Sequence, residues 1–168
     1  MFSKRLLLAA VAAALAASSW LVFAQHSHAT ATHDQTAKSA QHTAATDHRA
    51  PVSFPAKLRE HTFANMRDHL LALQEIQAAL ATGNYDQAAN VAEQRLGMTS
   101  LTAHGAHEVA QYMPKGMQEA GTAMHRSASR LSTAALDAAV ANDVTPALGA
   151  LAEVTATCVA CHAAYRLQ

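Results

Sequence analysis

From Pro55 onward, apolar side chains recur with the period of a helix. Leu58, Phe63, Met66, Leu70, Leu73, Ile76 and Leu80 follow one another at intervals of three to five residues. Intervals of three and four place side chains on one helical face, so a long first helix with this stripe turned inward is predicted. Pro55 suits its first turn, where a missing N–H costs nothing, and Gly83-Asn84 stops it. Asn84 followed by Gln87 is a capping-box pattern and starts a second helix, which runs to Leu96-Gly97. Gly105, Pro114 and Gly116 punctuate residues 98–116, leaving room for one short helix around His104–Met113. A third helix is expected over Met117 to Val140 with Met117, Met124, Leu131 and Leu136 inward, ended by Asn142-Asp143. Thr145 as N-cap and Pro146 in the first turn begin a fourth, carrying Leu148, Leu151, Val154, Cys158, Cys161 and Tyr165. Four amphipathic helices with mostly short connections predict an all-α fold, an antiparallel four-helix bundle over residues 51–168.

The chain ahead of Pro51 follows other rules. Lys4-Arg5 precede an apolar run from Leu6 to Ala17, and Val22-Phe23-Ala24 offers small residues at −3 and −1 of a cleavage site. Residues 1–24 therefore read as a signal peptide, and no stable membrane span is expected after processing; an uncleaved anchor is the rival reading. Residues 25–50 hold five of the eleven histidines and no large aliphatic side chain. Such a segment cannot offset its ordering entropy and reads as a flexible His-rich linker. His26, His28, His33, His42 and His48 show no fixed ligand spacing, so loose metal binding is the most they would add.

Composition narrows the classes. Hydrophobic residues make up 51% of the 168 and charged residues 14%, with 12 basic against 12 acidic. No basic stripe marks a nucleic-acid surface, and none is expected as a partner. Losing Lys4 and Arg5 leaves 10 basic against 12 acidic residues, a charge of −2. No nucleophile–base pair, phosphate loop or paired carboxylates stand out, so no enzyme activity is expected.

The chemistry lies in the last eleven residues. Cys158-Val159-Ala160-Cys161-His162 is the Cys-x-x-Cys-His signal for attaching a c-type haem. On a helix the two cysteines share a face, so both sulfurs reach one porphyrin edge, and His162 can ligate the iron. A disulfide, a thioredoxin-like pair and half a zinc site are the competing readings. Zinc ribbons need a second cysteine pair, and the chain has only two Cys. Thioredoxin-type motifs sit in a βαβ setting that is missing here. One covalent haem c is the expected cofactor, and an exported protein in the periplasm suits thiol ligation outside the cytosol.

Cys158 to Arg166 at the C-terminus resembles the ending of the class II c-type cytochromes, the cytochrome c′ family. Gly83-Asn84-Tyr85-Asp86-Gln87-Ala88-Ala89 is similar to that family's turn between its first two helices. The resemblance covers residues 55–168, with residues 98–116 matching only vaguely. It implies thioethers at Cys158 and Cys161, His162 as proximal iron ligand, Arg166 near the haem one turn on, and a homodimer through the first two helices.

By the same resemblance, the sixth iron position would face the first helix. Counting about four and a half turns back from Gly83, at about 3.6 residues per turn, lands beside Met66. The family's spacing from Arg59 lands instead on Phe63, which would line the distal pocket. Met66 is the expected ligand, because a neutral thioether binds iron without burying a charge. His61 and His69 flank the same face and could ligate, but both read first as surface histidines. The expected function is single-electron transfer with a redox partner protein in the periplasm or membrane. The alternative is a five-coordinate haem that binds nitric oxide or carbon monoxide.

Overall fold

The structure, a computed structural model, describes residues 46–168. Residues 1–24, read as a signal peptide, and all but the end of the His-rich segment lie outside the described residues. The long helices are α1 (Ala56–Ala81), α4 (Lys115–Ala141) and α5 (Thr145–Ala164), with α2 (Tyr85–Val91) and α3 (Ala106–Ala110) between them. After α2 the chain continues through a π-helical turn, Ala92–Leu96, and a 3₁₀ turn, Met98–Leu101. The described residues are mainly α-helical, as their alanine content and helical spacing predict.

An unexpected element is a pair of short strands. β1 (Ala50–Val52) runs parallel to β2 (Tyr165–Leu167), with Ala50 opposite Tyr165 and Val52 opposite Leu167. Tyr165 and Arg166 therefore leave the helix predicted to hold them. Tyr165 has extended backbone angles, φ −129° and ψ 152°, and caps α5. The strand pair ties the end of the chain to residues just before α1, and structure begins within the last residues of the segment read as a linker.

The helix ends follow local chemistry. Gly83 takes φ +72°, which lets the chain leave α1 without a Cβ clash. Asn84 then caps α2, its Oδ1 accepting the Gln87 N–H at 3.3 Å while its Nδ2 donates to Gln87 Oε1 at 2.9 Å. Asn142, at φ +53°, ends α4. At the start of α5 the expectation needs correcting: Thr145 is the first helical residue, and Asp143 Oδ1 accepts its N–H at 2.9 Å.

The main core joins four segments. Ala72, Ile76, Ala79 and Leu80 of α1 meet Ala88, Ala89, Ala92 and Leu96 around α2. Ala128, Leu131, Ala135 and Ala138 of α4, with Ala147, Leu151 and Val154 of α5, complete it. So many alanines bring helix backbones close, and each large side chain there carries much of the burial: truncating Ile76 to Ala would cost roughly 2–5 kcal/mol. The buried stripe of α1 follows the prediction at Ile76 and Leu80 but not throughout. Thr62, His69, Ala72, Ile76, Ala79 and Leu80 are buried, while Phe63 is 42% and Leu70 69% exposed. Leu136, also expected inward, is exposed. Large apolar residues marked the helices correctly but not their rotation, because alanines rather than leucines occupy much of the contact face.

A second apolar cluster lies where the strands pair: Val52, Phe54, Val109 and Met117, flanked by Leu58, Met113, Cys161, Tyr165 and Leu167. Between the clusters, Arg95 reaches from the π-helical turn to α1. Its guanidinium bonds the carboxylates of Asp68 and Glu75, and it donates to the Asp68 carbonyl at 3.2 Å. This clamp fixes α1 at the level of His69.

Candidate functional site

Cys158, Cys161 and His162 occupy the last two turns of α5. Both thiols are free and half-buried. Burial raises their pKa above the usual thiol value, so both stay protonated near neutral pH. His162 is exposed on one side and on the other lines a cavity of about 500 Å³.

The cavity is walled by α1, α3, α4 and the end of α5. Phe63, Met66 and His69 come from α1, while Cys161, His162 and Tyr165 come from the C-terminal end. The structure therefore brings together on one cavity the residues predicted for the two sides of the iron. Cys158, one turn before Cys161, is not part of its lining. Gly121 of α4 also lines the space, and a Cβ there would meet nothing within 4 Å.

One prediction is overturned here. His69 is not a surface residue: it is 7% exposed, and its Nε2 is buried with no hydrogen-bond partner. Its ring centroid lies 4.7 Å from that of His104 and 6.2 Å from that of His125, with the latter two 5.5 Å apart. His125 Nδ1 donates to the Leu96 carbonyl at 2.7 Å, because a carbonyl can only accept. Ser100 Oγ gives its proton to the Gly97 carbonyl at 2.7 Å, so it accepts from His104 Nδ1 at 3.3 Å. Both neighbours thus hold their proton on Nδ1 and present Nε2 as a lone pair. Asn65 donates to the His104 carbonyl at 3.1 Å and joins that segment to α1.

Burial keeps these imidazoles neutral. The pKa of His69 falls to about 4, first through burial and then through His104 and His125 beside it. His104 and His125 are lowered as well, again mainly by burial. An unpaired buried nitrogen such as His69 Nε2 costs about 1–3 kcal/mol, which a bound group facing it would recover. Sequence reasoning missed His104 and His125. His125 does fall on the inward face of α4 beside Met124, the one signal that could have found it.

No family model, curated protein or solved structure matches the chain.

At the strand pair, Arg49 and Arg166 also line the cavity. Arg49 is held by Asp47, Nε to Oδ1 at 2.9 Å and a second nitrogen to Oδ2 at 2.8 Å. The hydrogen bond from Arg49 is the main reason the Asp47 carboxyl falls to about 2. Arg166 Nε lies 3.5 Å from Asp47 Oδ2 and, though buried, has no hydrogen-bond partner.

The donor set fits a covalently held haem. The cavity falls in the range of cofactor sites, and its lining is mainly apolar with a few placed polar groups. The Cys161 thiol and the His162 imidazole stand at one end of it, with Cys158 one turn before and outside the lining. A thioether and an unpaired imidazole come from α1, and two guanidinium groups lie at the strand pair.

Proposed function

We propose that this chain is a periplasmic c-type haem protein that carries single electrons. Its helices α1, α2, α4 and α5 would form an antiparallel four-helix bundle of the cytochrome c′ type around one haem c. The observation carrying the reading is the shared cavity: Cys161 and His162 from one end of the chain, Met66 and His69 from α1. Among the described residues, no three His, Cys, Asp or Glu side chains are arranged to hold a bare metal ion.

The haem, when bound, supplies a one-electron couple at its iron. Cys158 and Cys161 would form thioethers, and His162 would hold the iron from the proximal side. A second side chain, from α1, would also hold the iron, where the helix count expects Met66. Phe63, partly exposed at the cavity wall, would shield the haem edge, and Arg166 with Arg49 would face its carboxylates. The apolar wall excludes water and so limits reorganisation when charge changes. A redox partner protein in the periplasm or membrane would exchange electrons with it, and homodimerisation through α1 and α2 is part of the same reading.

Haem staining on a denaturing gel tests this. Protein matured with intact haem-attachment machinery should carry gel-stable haem, and the combined substitution Cys158→Ala, Cys161→Ala should remove it. Wild-type protein without gel-stable haem would overturn the reading. Rapid carbon monoxide binding by reduced wild type would turn it toward gas binding.

A further inference from the structure

We infer that the imidazole of His69, rather than the thioether of Met66, is the side chain of α1 that binds the haem iron opposite His162. This rests on the haem reading above and names the residue that completes the site.

The two candidates differ in what the fold demands of them. Met66 is a partly buried thioether, and apolar contact alone satisfies such a group. His69 is buried, lines the cavity and leaves Nε2 without any partner. Buried polar atoms are nearly always paired, and those that are not mark a site where something else binds.

The surroundings then hold this ring in place. His104 and His125 pack around it with centroids 4.7 and 6.2 Å away. Their own Nδ1 atoms are tied to Ser100 and to the Leu96 carbonyl. The backbone next to His69 is clamped through Asp68 by Arg95. Packing against these rings, rather than a hydrogen bond, holds the His69 ring in place. Neither neighbour bonds His69 Nε2, which leaves that nitrogen free to meet iron. A neutral imidazole places no charge in the apolar cavity, the same advantage that spacing alone assigned to the thioether.

Spectroscopy of the purified, haem-loaded full chain decides between them. The oxidised protein should be low-spin and lack the far-red sulfur-to-iron band. Its near-infrared magnetic circular dichroism should carry the signature of two imidazole ligands. Substituting Met66→Leu should leave both features unchanged. Substituting His69→Ala should abolish the low-spin signal and open the reduced iron to carbon monoxide, with gel-stable haem retained. A sulfur-to-iron band in wild type that is lost in Met66→Leu would overturn the inference, as would a high-spin wild type. If His69→Ala fails to accumulate, the near-infrared signature of wild type distinguishes the two ligands without it. Absence of gel-stable haem in wild type would strike the haem reading instead, so the two failures are distinguishable.

Discussion

Tyr165 stands directly over Gly116: a Cβ added to that glycine would lie 2.5 Å from the tyrosine hydroxyl oxygen. The contact sets β2 against the first turn of α4 and brings the chain just after Cys158–His162 onto the apolar cluster around Met117. Gly116→Val should push Tyr165 aside and loosen the strand pair, costing roughly 1–3 kcal/mol through overpacking. Chemical denaturation checks this, with Gly121→Ala as the contrast. Nothing lies within 4 Å of a Cβ at Gly121, so that change should stabilise the helix by about 0.5–1 kcal/mol.

The same openness gives a functional prediction. Gly121 lines the cavity, and a ring placed there would fill space that the proposed haem would occupy. Gly121→Phe should fold with near-normal helicity by circular dichroism yet lose most of its gel-stable haem. Full haem loading in this variant would place the cofactor elsewhere.

Arg95 joins α1 to the π-helical turn through Asp68 and Glu75. Asp68 and Glu75 are themselves partly exposed, so solvent screening reduces what the pairs contribute. Arg95→Met should destabilise the fold by about 1 kcal/mol, less in high salt, as read from urea midpoints. A loss well above that, insensitive to salt, would mean that the arginine acts through packing rather than charge.

Stability should also depend on pH in a defined window. The folded pKa of His69 lies at about 4 against an ordinary 6.5, and His104 and His125 shift the same way. The unfolded chain therefore binds more protons than the folded one as pH drops below 6.5. The stability from keeping these rings neutral is complete above pH 6.5 and is lost as pH falls toward 4. Asp68, lowered first by its hydrogen bond from Arg95, adds a loss in the same direction only below its ordinary value of 3.8. Each extra proton contributes a slope of up to about 1.4 kcal/mol per pH unit. His125→Gln should flatten the fall between pH 6.5 and 5, measured in the haem-free Cys158→Ala, Cys161→Ala background.

Export is checked at the N-terminus. The mature chain should begin at Gln25 and be found in the periplasmic fraction. Intact-mass measurement showing Met1 retained in a membrane pellet would favour the anchored form.

Local chemistry alone determined much of this protein. Helical spacing, Gly83, the Asn84–Gln87 cap and Asn142 placed α1, α2 and α4 nearly where they stand, because helix ends depend on backbone angles and hydrogen bonds within a few residues. The Cys158–His162 pentapeptide was legible for the same reason, since its geometry lies within about two turns of one helix. Tertiary packing decided the rest. The rotation of α1, which turns Phe63 and Leu70 outward and His69 inward, depends on where alanines of other helices let backbones approach. The pairing of Ala50–Val52 with Tyr165–Leu167 joins residues more than a hundred positions apart, and no local period announces it. The histidine cluster arose in the same way: His69, His104 and His125 belong to three separate segments. Only the packed structure brings their rings together and leaves one nitrogen without a partner.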